Sequence, residues 1–217
     1  MRQTVIVVEG QSEEAFVTQV LAPRAADAGV YLTPIVVKHL HGGAVVGRGG
    51  GSWKHYEKLL APLIHQTHWD RVGLMCDFYG YPPAAPGADC PGATPHARRE
   101  AIHASLRQAF PDPRFRPCVV LHEFETLVLA ALRADRALFP QTPELDQLVT
   151  DLDGFDDLEL VNDSVATSPS HRIATAWPEY QKAIDGIRIL TRAPLSRVLS
   201  ECATFHGWWA ELVRTAP

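Results

Sequence analysis

The stretch TVIVVEGQSEEAF, residues 4–16, decides the fold class of this chain. Thr4 to Val8 is a continuous β-branched run, which is typical of a strand buried on both faces of a parallel sheet. The turn Glu9-Gly10-Gln11 follows at once. Ser12 is then expected to cap a helix that continues to Arg24 and carries two acids in its first turn, where the helix dipole favours them. A buried strand leading directly into a helix predicts a β-α-β unit.

The same alternation of strand and helix continues through residue 138. The further predicted strands are Leu32–His39, Asp70–Cys76 and Phe115–His122. The further predicted helices are Trp53–His65, Ala97–Phe110 and Glu123–Leu138. A Gly-rich stretch precedes the second helix, and residues 81–96 form an irregular Pro-rich loop. This pattern predicts an α/β fold with an open, mostly parallel sheet and helices on both faces.

The composition changes after residue 138. The acidic run DLDGFDDLELVND, residues 151–163, leads into a Ser- and Pro-containing segment, and no strong strand pattern follows. Three helices are predicted, near residues 144–151, 171–185 and 194–214. The chain is therefore expected to consist of an α/β core at 1–138 and a mainly helical extension at 139–217, packed as parts of one domain.

Charge and composition narrow the function classes. The 217 residues carry a formal net charge of −5, whereas proteins that coat nucleic acid non-specifically are usually basic. A nuclease that uses bound cations is not excluded, because the ions supply positive charge locally. No apolar run reaches the roughly 20 residues of a membrane span, and the four cysteines are scattered. We expect a cytoplasmic protein without membrane contact.

Four carboxylates follow predicted strands at their carboxyl ends. Glu9 follows the first strand, Asp77 the third, and Glu123 and Glu125 the fourth. Ligands gather at this edge of an open parallel sheet, and Mg²⁺ or Mn²⁺ prefers oxygen ligands. A cation held there polarises a phosphoryl oxygen or activates a water molecule. Any one of these acids could instead cap the helix that follows it.

Two of these elements resemble the Toprim fold of topoisomerases, primases and OLD-type nucleases. VVEGQSEEAF, residues 7–16, is similar to the Toprim glutamate after the first strand, and LMCDFYGYP, residues 74–82, is similar to the aspartate element. Asp77 occupies the first aspartate position. Tyr79 stands where the second acid would be, and this departure makes metal binding better supported than catalysis.

The chain is more closely similar to a bacterial family of Toprim-like domains of unknown function. Members of that family are often associated with ATPases in defence islands. The shared stretches are EGQSEEAF, DFYGYP, LHEFETL, VNDSVATSPSHRI, YQKAIDG and CATFHGWWAEL. The resemblance implies a divalent-metal-dependent phosphoesterase, most often a nuclease, with nucleic acid as substrate, an ATPase as partner and a role in phage defence.

The resemblance also implies roles for the four acids. Glu9, Asp77 and Glu123 would be the catalytic residues, and the same three with Glu125 would bind the metal. Periodicity does not decide which of Glu123 and Glu125 points into the site. Glu123 is favoured because it lies nearer the predicted strand end.

Four further residues are candidates for substrate binding. Arg172 and Ser170 could bind and orient a phosphate, and the alternative is a capped helix start. His122 could be a base or ligand, or it could orient a neighbouring side chain. Lys182 is a weaker phosphate ligand, because most lysines lie on solvated surfaces.

Three functions remain open at this stage. The first is a Mg²⁺- or Mn²⁺-dependent nuclease or phosphoesterase. The second is a non-catalytic partner or adaptor of an ATPase, which the tyrosine at position 79 and the negative net charge favour. The third is hydrolysis of a small phosphorylated metabolite, because a fold does not fix a function. The sequence does not decide between DNA and RNA.

Overall fold

The β-branched run at the start of the chain forms the central part of a parallel sheet. The structure, a computed structural model, describes residues 1–41, 44–48, 51–121, 123–161 and 167–214. Its strands are β1 (Arg2–Val8), β2 (Val30–Val36), β3 (Lys38–His41), β4 (Ala44–Arg48), β5 (Arg71–Asp77) and β6 (Phe115–Val120). Four of them form one sheet in the order β2-β1-β5-β6, with every pairing parallel. The predicted α/β class is confirmed.

The chain divides into two compact units, one of which contains this sheet. The first unit is Met1–Val120 with Trp208–Pro217, and the second is Leu121–Gly207. The helices of the first unit before Val120 are α1 (Gln11–Phe16), a π-helical turn (Val17–Leu21), α2 (Ala22–Asp27), α3 (Trp53–His65) and α4 (Pro95–Ala109). The boundary expected after residue 138 stays a prediction.

Strand β1 is buried on both faces, as its β-branched run predicts. Val5 and Val7 belong to a core cluster that includes Leu60 of α3 and Ile102 of α4. Their neighbours point to the opposite face of the sheet, because successive side chains of a strand alternate. One of these neighbours, Ile6, is fully buried as well.

Two local predictions in the first unit are wrong. The strand predicted for Leu32–His39 ends at Val36, and the chain then forms an antiparallel hairpin of β3 and β4, of which β4 lies within the stretch interpreted as a Gly-rich connection. The first helix is capped by Gly10 and not by Ser12, which lies inside the helix. The turn is tight, since a Cβ added to Gly10 would lie 2.9 Å from Glu13 Oε2.

The second unit is built from helices and contains no strand among its described residues. Its helices are α5 (Glu125–Ala134), α6 (Pro143–Leu152), α7 (Pro169–Ala176), a π-helical turn (Lys182–Gly186), α8 (Ile187–Arg192) and α9 (Leu195–Ser200), with short 3₁₀ turns at Arg136–Leu138 and Leu158–Leu160. Helix α10 (Ala203–Val213) begins in this unit and continues into the terminal segment of the first. None of the helices formed by described residues is long and apolar enough to span a bilayer.

Two of the predicted C-terminal helices are interrupted. The helix expected at 171–185 ends at Ala176, because the backbone before Pro178 avoids the helical conformation. The helix expected at 194–214 is divided into α9 and α10. A new helix begins after Cys202, where the buried Glu159 carboxylate accepts hydrogen bonds from the N–H groups of Thr204 and Phe205 at 2.7 and 3.2 Å.

Candidate functional site

Two of the predicted acids lie side by side at the carboxyl edge of the sheet. Glu9 directly follows β1, and Asp77 is the last residue of β5, the strand next to it. The carboxylate Oε2 of Glu9 accepts a weak hydrogen bond from the backbone N–H of Asp77 at 3.4 Å. Both side chains are half-buried. The sheet thus brings together two acids that are 68 positions apart in the sequence.

The negative charge of this pair acts on two neighbouring side chains. Burial raises the pKa of Tyr56, and the charges of Glu9 and Asp77, together with a hydrogen bond to Glu9, raise it further. Burial likewise raises the pKa of the Cys76 thiol, and both carboxylates add to that shift. The Glu9 and Asp77 charges therefore act on the same small region of the core.

The Glu9–Asp77 pair fits a hard divalent cation. Mg²⁺ binds through one or two carboxylates and keeps several water molecules, so it does not require a cage of protein ligands. Within the described ranges, no group of three or more His, Cys, Asp and Glu side chains could hold a metal ion. A site on this pair would consequently leave most coordination positions to water and to the phosphate oxygens of a substrate.

Glu123 and Ser170 meet in the second unit. The Oε1 atom of Glu123 accepts a hydrogen bond from the backbone N–H of Ser170 at 2.7 Å, in the first turn of α7. Ser168 caps the same helix by accepting from His171 N–H at 3.3 Å. The capped helix start, which was the alternative to phosphate binding by Ser170 and Arg172, is therefore present. The metal-binding role of Glu123 and the substrate-binding role of Ser170 stay predictions.

Glu125 and Lys182 form an ion pair in the second unit. The Glu125 side chain is 3% exposed, and its Oε2 atom lies 3.4 Å from Lys182 Nζ. The Lys182 ammonium also lies 5.2 Å from the ring centroid of Phe124. Burial raises the pKa of Glu125, the Lys182 charge opposes that shift, and the nearby Glu123 charge adds to it. The metal role of Glu125 and the phosphate role of Lys182 stay predictions.

The guanidinium of Arg172 contacts the protein itself. It donates to the carbonyl oxygens of Thr167 at 2.8 Å and Val161 at 3.2 Å, and it lies 5.8 Å from the ring centroid of Phe155. Arg172 also lines a cavity of about 620 Å³ between α6 and α7. The phosphate-binding role of Arg172 stays a prediction. His122, the remaining substrate-binding candidate, lies outside the described residues.

Tyr56 is the residue at the Glu9–Asp77 pair that sequence reasoning missed. It lies on the buried face of α3, where a tyrosine at helical spacing is interpreted as core, and its side chain is indeed 1% exposed. The sequence feature that could have pointed to Tyr56 is its hydroxyl, because a buried tyrosine O–H usually has a hydrogen-bond partner.

The parallel sheet and its carboxylate pair define an α/β protein with a candidate cation site at the carboxyl edge. The chain belongs to the family described as domain of unknown function DUF4276, whose match covers residues 8–213. A comparison with curated proteins found no match.

Among solved structures, the C-terminal region of the Burkholderia pseudomallei OLD protein is similar to this chain. The identity is 12% and the TM-score 0.46, over 98% of this chain and 97% of that one. A likeness at this level does not extend to activity, substrate or metal.

Proposed function

We propose that this protein is a divalent-metal-dependent phosphoesterase that cleaves nucleic acid, with Glu9 and Asp77 as its metal ligands. The observation that supports the proposal is the adjacency of these two carboxylates at the ends of neighbouring parallel strands. This edge is where open α/β sheets bind their ligands. Mg²⁺ or Mn²⁺ is the proposed cofactor, because carboxylate oxygens suit both ions.

The residues around the pair have distinct proposed roles. A bound Mg²⁺ or Mn²⁺ would supply Lewis-acid polarisation of a phosphoryl oxygen and a bound water of lowered pKa. Glu9 and Asp77 hold the ion at the sheet edge. Burial and the Glu9 charge raise the pKa of Tyr56, so its hydroxyl keeps its hydrogen and would orient the Glu9 carboxylate, in the way that neighbours of metal ligands commonly do.

The remaining predicted residues are not required by this proposal. Glu123, Glu125, Ser170 and Lys182 lie in the second unit, where their observed contacts are to one another or to neighbouring side chains and backbone. Their roles in metal and substrate binding remain proposals to be tested by substitution. An ATPase partner, a role in phage defence and a cytoplasmic location likewise remain predictions.

The proposal is tested with a panel of substrates and metals. Single-stranded and duplex DNA, RNA and small phosphomonoesters are incubated with protein in Mg²⁺, Mn²⁺ or EDTA. We expect metal-dependent cleavage of nucleic acid. Glu9→Gln and Asp77→Asn should each lower kcat/KM by roughly 100-fold or more, as loss of one electrostatic contact to a transition state does.

The matched control is Glu57→Gln, which removes one carboxylate from an exposed position of the same unit. It should cleave like the wild-type protein. Circular dichroism of each variant shows whether the fold is retained. Cleavage by both folded edge variants at the wild-type rate would refute the site assignment. If the protein hydrolysed only phosphomonoesters, its substrate class would be small phosphate esters and not nucleic acid.

A second candidate function is a non-catalytic adaptor. Two features favour it: Tyr79 stands in the position of the second Toprim acid, and the net charge of the chain is −5. Calorimetric titration with Mn²⁺ separates the two functions. A binding isotherm that Glu9→Gln abolishes supports the phosphoesterase, and absence of metal binding to wild-type protein supports the adaptor.

A further inference from the structure

Arg98 lies in the first turn of a helix that begins at the carboxyl edge of the sheet. Helix α4 follows β5 in the chain, and the start of a crossover helix lies near the carboxyl end of the strand before it. Thr94 caps α4 by accepting from Ala97 N–H at 3.1 Å. Arg98 is therefore positioned near the same edge as Asp77, the final residue of β5.

An aromatic ring next to Asp77 holds the Arg98 side chain. The guanidinium carbon of Arg98 lies 5.2 Å from the ring centroid of Phe78, the residue directly after Asp77. The backbone N–H of Phe78 donates to Val120 O at 2.9 Å, which ties this residue to the end of β6. A guanidinium lying over a ring keeps its N–H groups directed outward in its own plane.

The second contact of Arg98 comes from the Pro-rich loop. Its Nη2 atom donates to the carbonyl oxygen of Ala88 at 3.2 Å. The loop lies against α4 at this point, since a Cβ added to Gly87 would lie 2.8 Å from the Cα of Ile102. Gly87 also has a positive φ of 83°, which residues with a side chain rarely adopt. The carbonyl is thus part of a packed turn.

Arg98 differs from two other arginines of this unit in that no carboxylate of the described residues pairs with its guanidinium. Arg99 pairs with Glu100, and Arg114 pairs with Asp112. In the part of the chain that the structure describes, no carboxylate pairs with Arg98, and its side chain is exposed. Neither a ring nor a neutral carbonyl neutralises the guanidinium. A positive group is therefore held over the ring of Phe78, the residue after Asp77, in a protein whose net charge is −5.

We infer that Arg98 binds a backbone phosphate of a nucleic acid whose neighbouring phosphodiester lies at the Glu9–Asp77 pair. This inference rests on the proposed function and names the residue that positions its substrate. A planar guanidinium presents several N–H donors to phosphate oxygens at once, and stacking on Phe78 fixes the plane before the substrate arrives. Such a contact supplies affinity without selecting a base sequence.

The test measures binding and not cleavage. A fluorescein-labelled oligonucleotide of about 20 nucleotides, single-stranded or duplex, is titrated with protein in EDTA at several salt concentrations. We expect Arg98→Ala to weaken binding about fivefold to tenfold at low salt. The slope of log K against log salt should also fall, by about 0.7 for the single strand or 0.9 for the duplex, as expected for one lost phosphate contact.

Two variants make the result specific. Arg107→Ala removes an exposed arginine from the far end of the same helix and should bind within about twofold of wild type. Arg98→Lys keeps the charge but loses the planar fork, so its salt slope should match wild type while its affinity is intermediate. Equal binding by Arg98→Ala and wild type, or equal losses in Arg98→Ala and Arg107→Ala, would overturn the inference.

Failure of this inference is distinguishable from failure of the proposed function. Binding in EDTA does not depend on metal or turnover, so an inactive protein can still show the Arg98 effect. A protein that cleaves nucleic acid but binds it equally well without Arg98 would retain the proposed function and lose this residue assignment. A wild-type protein that binds neither oligonucleotide would overturn the inference whatever its activity on other phosphate esters.

Discussion

The two edges of the parallel sheet differ in their charged side chains. Arginines of the amino edge bind backbone carbonyls of the protein, whereas two acids lie next to each other at the carboxyl edge. At the amino edge, Arg71 donates to the carbonyl oxygens of Leu212 and Arg214, both at 2.9 Å. Arg2 donates to Val213 O at 2.9 Å. These carbonyls end helix α10, whose last turn has no intrahelical donors of its own. The positive charges of this edge are therefore directed at the protein's own backbone.

At the carboxyl edge, Glu9 and Asp77 place two acids at the ends of neighbouring strands. The backbone N–H of Asp77 donates to Glu9, and the charges of both acids raise the pKa of the buried Tyr56. One edge of the sheet fixes the terminal helix, and the proposed function assigns the other edge to a ligand. Four predictions follow in order of decreasing effect, and the last three test the two edges directly.

The largest expected effect is on stability at acid pH and involves a residue away from the carboxyl edge. His103 of α4 is 7% exposed, and its Nε2 accepts from Val119 N–H in the outer strand β6 at 3.0 Å. Burial, with the Arg99 charge, lowers its pKa from 6.5 to about 4. Its contribution is complete above pH 6.5 and is lost as the pH falls, by about 2 kcal/mol at pH 5 and about 3 kcal/mol below pH 4.

Urea unfolding at pH 7.5 and pH 5 measures this loss, with His103→Gln as the comparison. Glutamine keeps an acceptor but does not titrate, so the variant should lose less stability than wild type between the two pH values. Parallel losses in the two proteins would show that His103 is not the group responsible.

The second effect tests the amino edge. Arg71→Ala removes two charge-assisted hydrogen bonds to the end of α10, so we expect a loss of about 2 kcal/mol of unfolding free energy. The urea midpoint should fall without a change in the m-value. Arg107→Ala, which removes an exposed arginine, should stay within about 0.5 kcal/mol of wild type. Equal midpoints for the two variants would contradict a fixing role for Arg71.

The third effect tests the orientation of Glu9. Tyr56→Phe removes the hydroxyl that is proposed to orient Glu9 and should weaken Mn²⁺ binding about tenfold, which is the lower end for neighbours of metal ligands. Calorimetric titration measures the affinity. Tyr31→Phe removes a hydroxyl from a side chain that is 61% exposed and should leave the affinity unchanged. Unaltered Mn²⁺ affinity in the folded Tyr56 variant would remove its positioning role.

The smallest expected effect is the change in unfolding free energy when an acid of the carboxyl edge is replaced. Asp77→Asn removes one of two neighbouring negative charges, so its unfolding free energy should change by no more than about 0.5 kcal/mol in EDTA. Thermal unfolding without metal checks this. A loss near 2 kcal/mol would mean that the carboxyl edge, like the amino edge, is built for stability.

Local sequence patterns predicted the elements that depend on short-range chemistry. The β-branched run of β1, the apolar face of α3 and the acids after the strands were all readable from spacing and residue type. The β3–β4 hairpin was missed, because glycine-rich sequence is typical of a loop and gives little strand signal. The break after Ala176 was missed although Pro178 marks it.

Two functional candidates depended on packing that no local pattern contains. Tyr56 lies on the helix predicted at Trp53–His65, and only the three-dimensional structure brings it within the influence of the Glu9 charge. Arg98 is one of several arginines on α4. It differs from the others in its contacts with the Phe78 ring and the Ala88 carbonyl oxygen, which both belong to the preceding loop. Such contacts join residues that are far apart in the chain.

The parallel sheet and the acids that follow its strands can both be predicted from the amino-acid sequence. Strand and helix propensities are local, and alternation of the two leaves few topologies. The tertiary structure alone decided that β5 and not β6 would bring an acid beside Glu9, through the order β2-β1-β5-β6. Strand order is set by packing between distant segments, so the Glu9–Asp77 pair existed in the sequence only as two separate carboxylates.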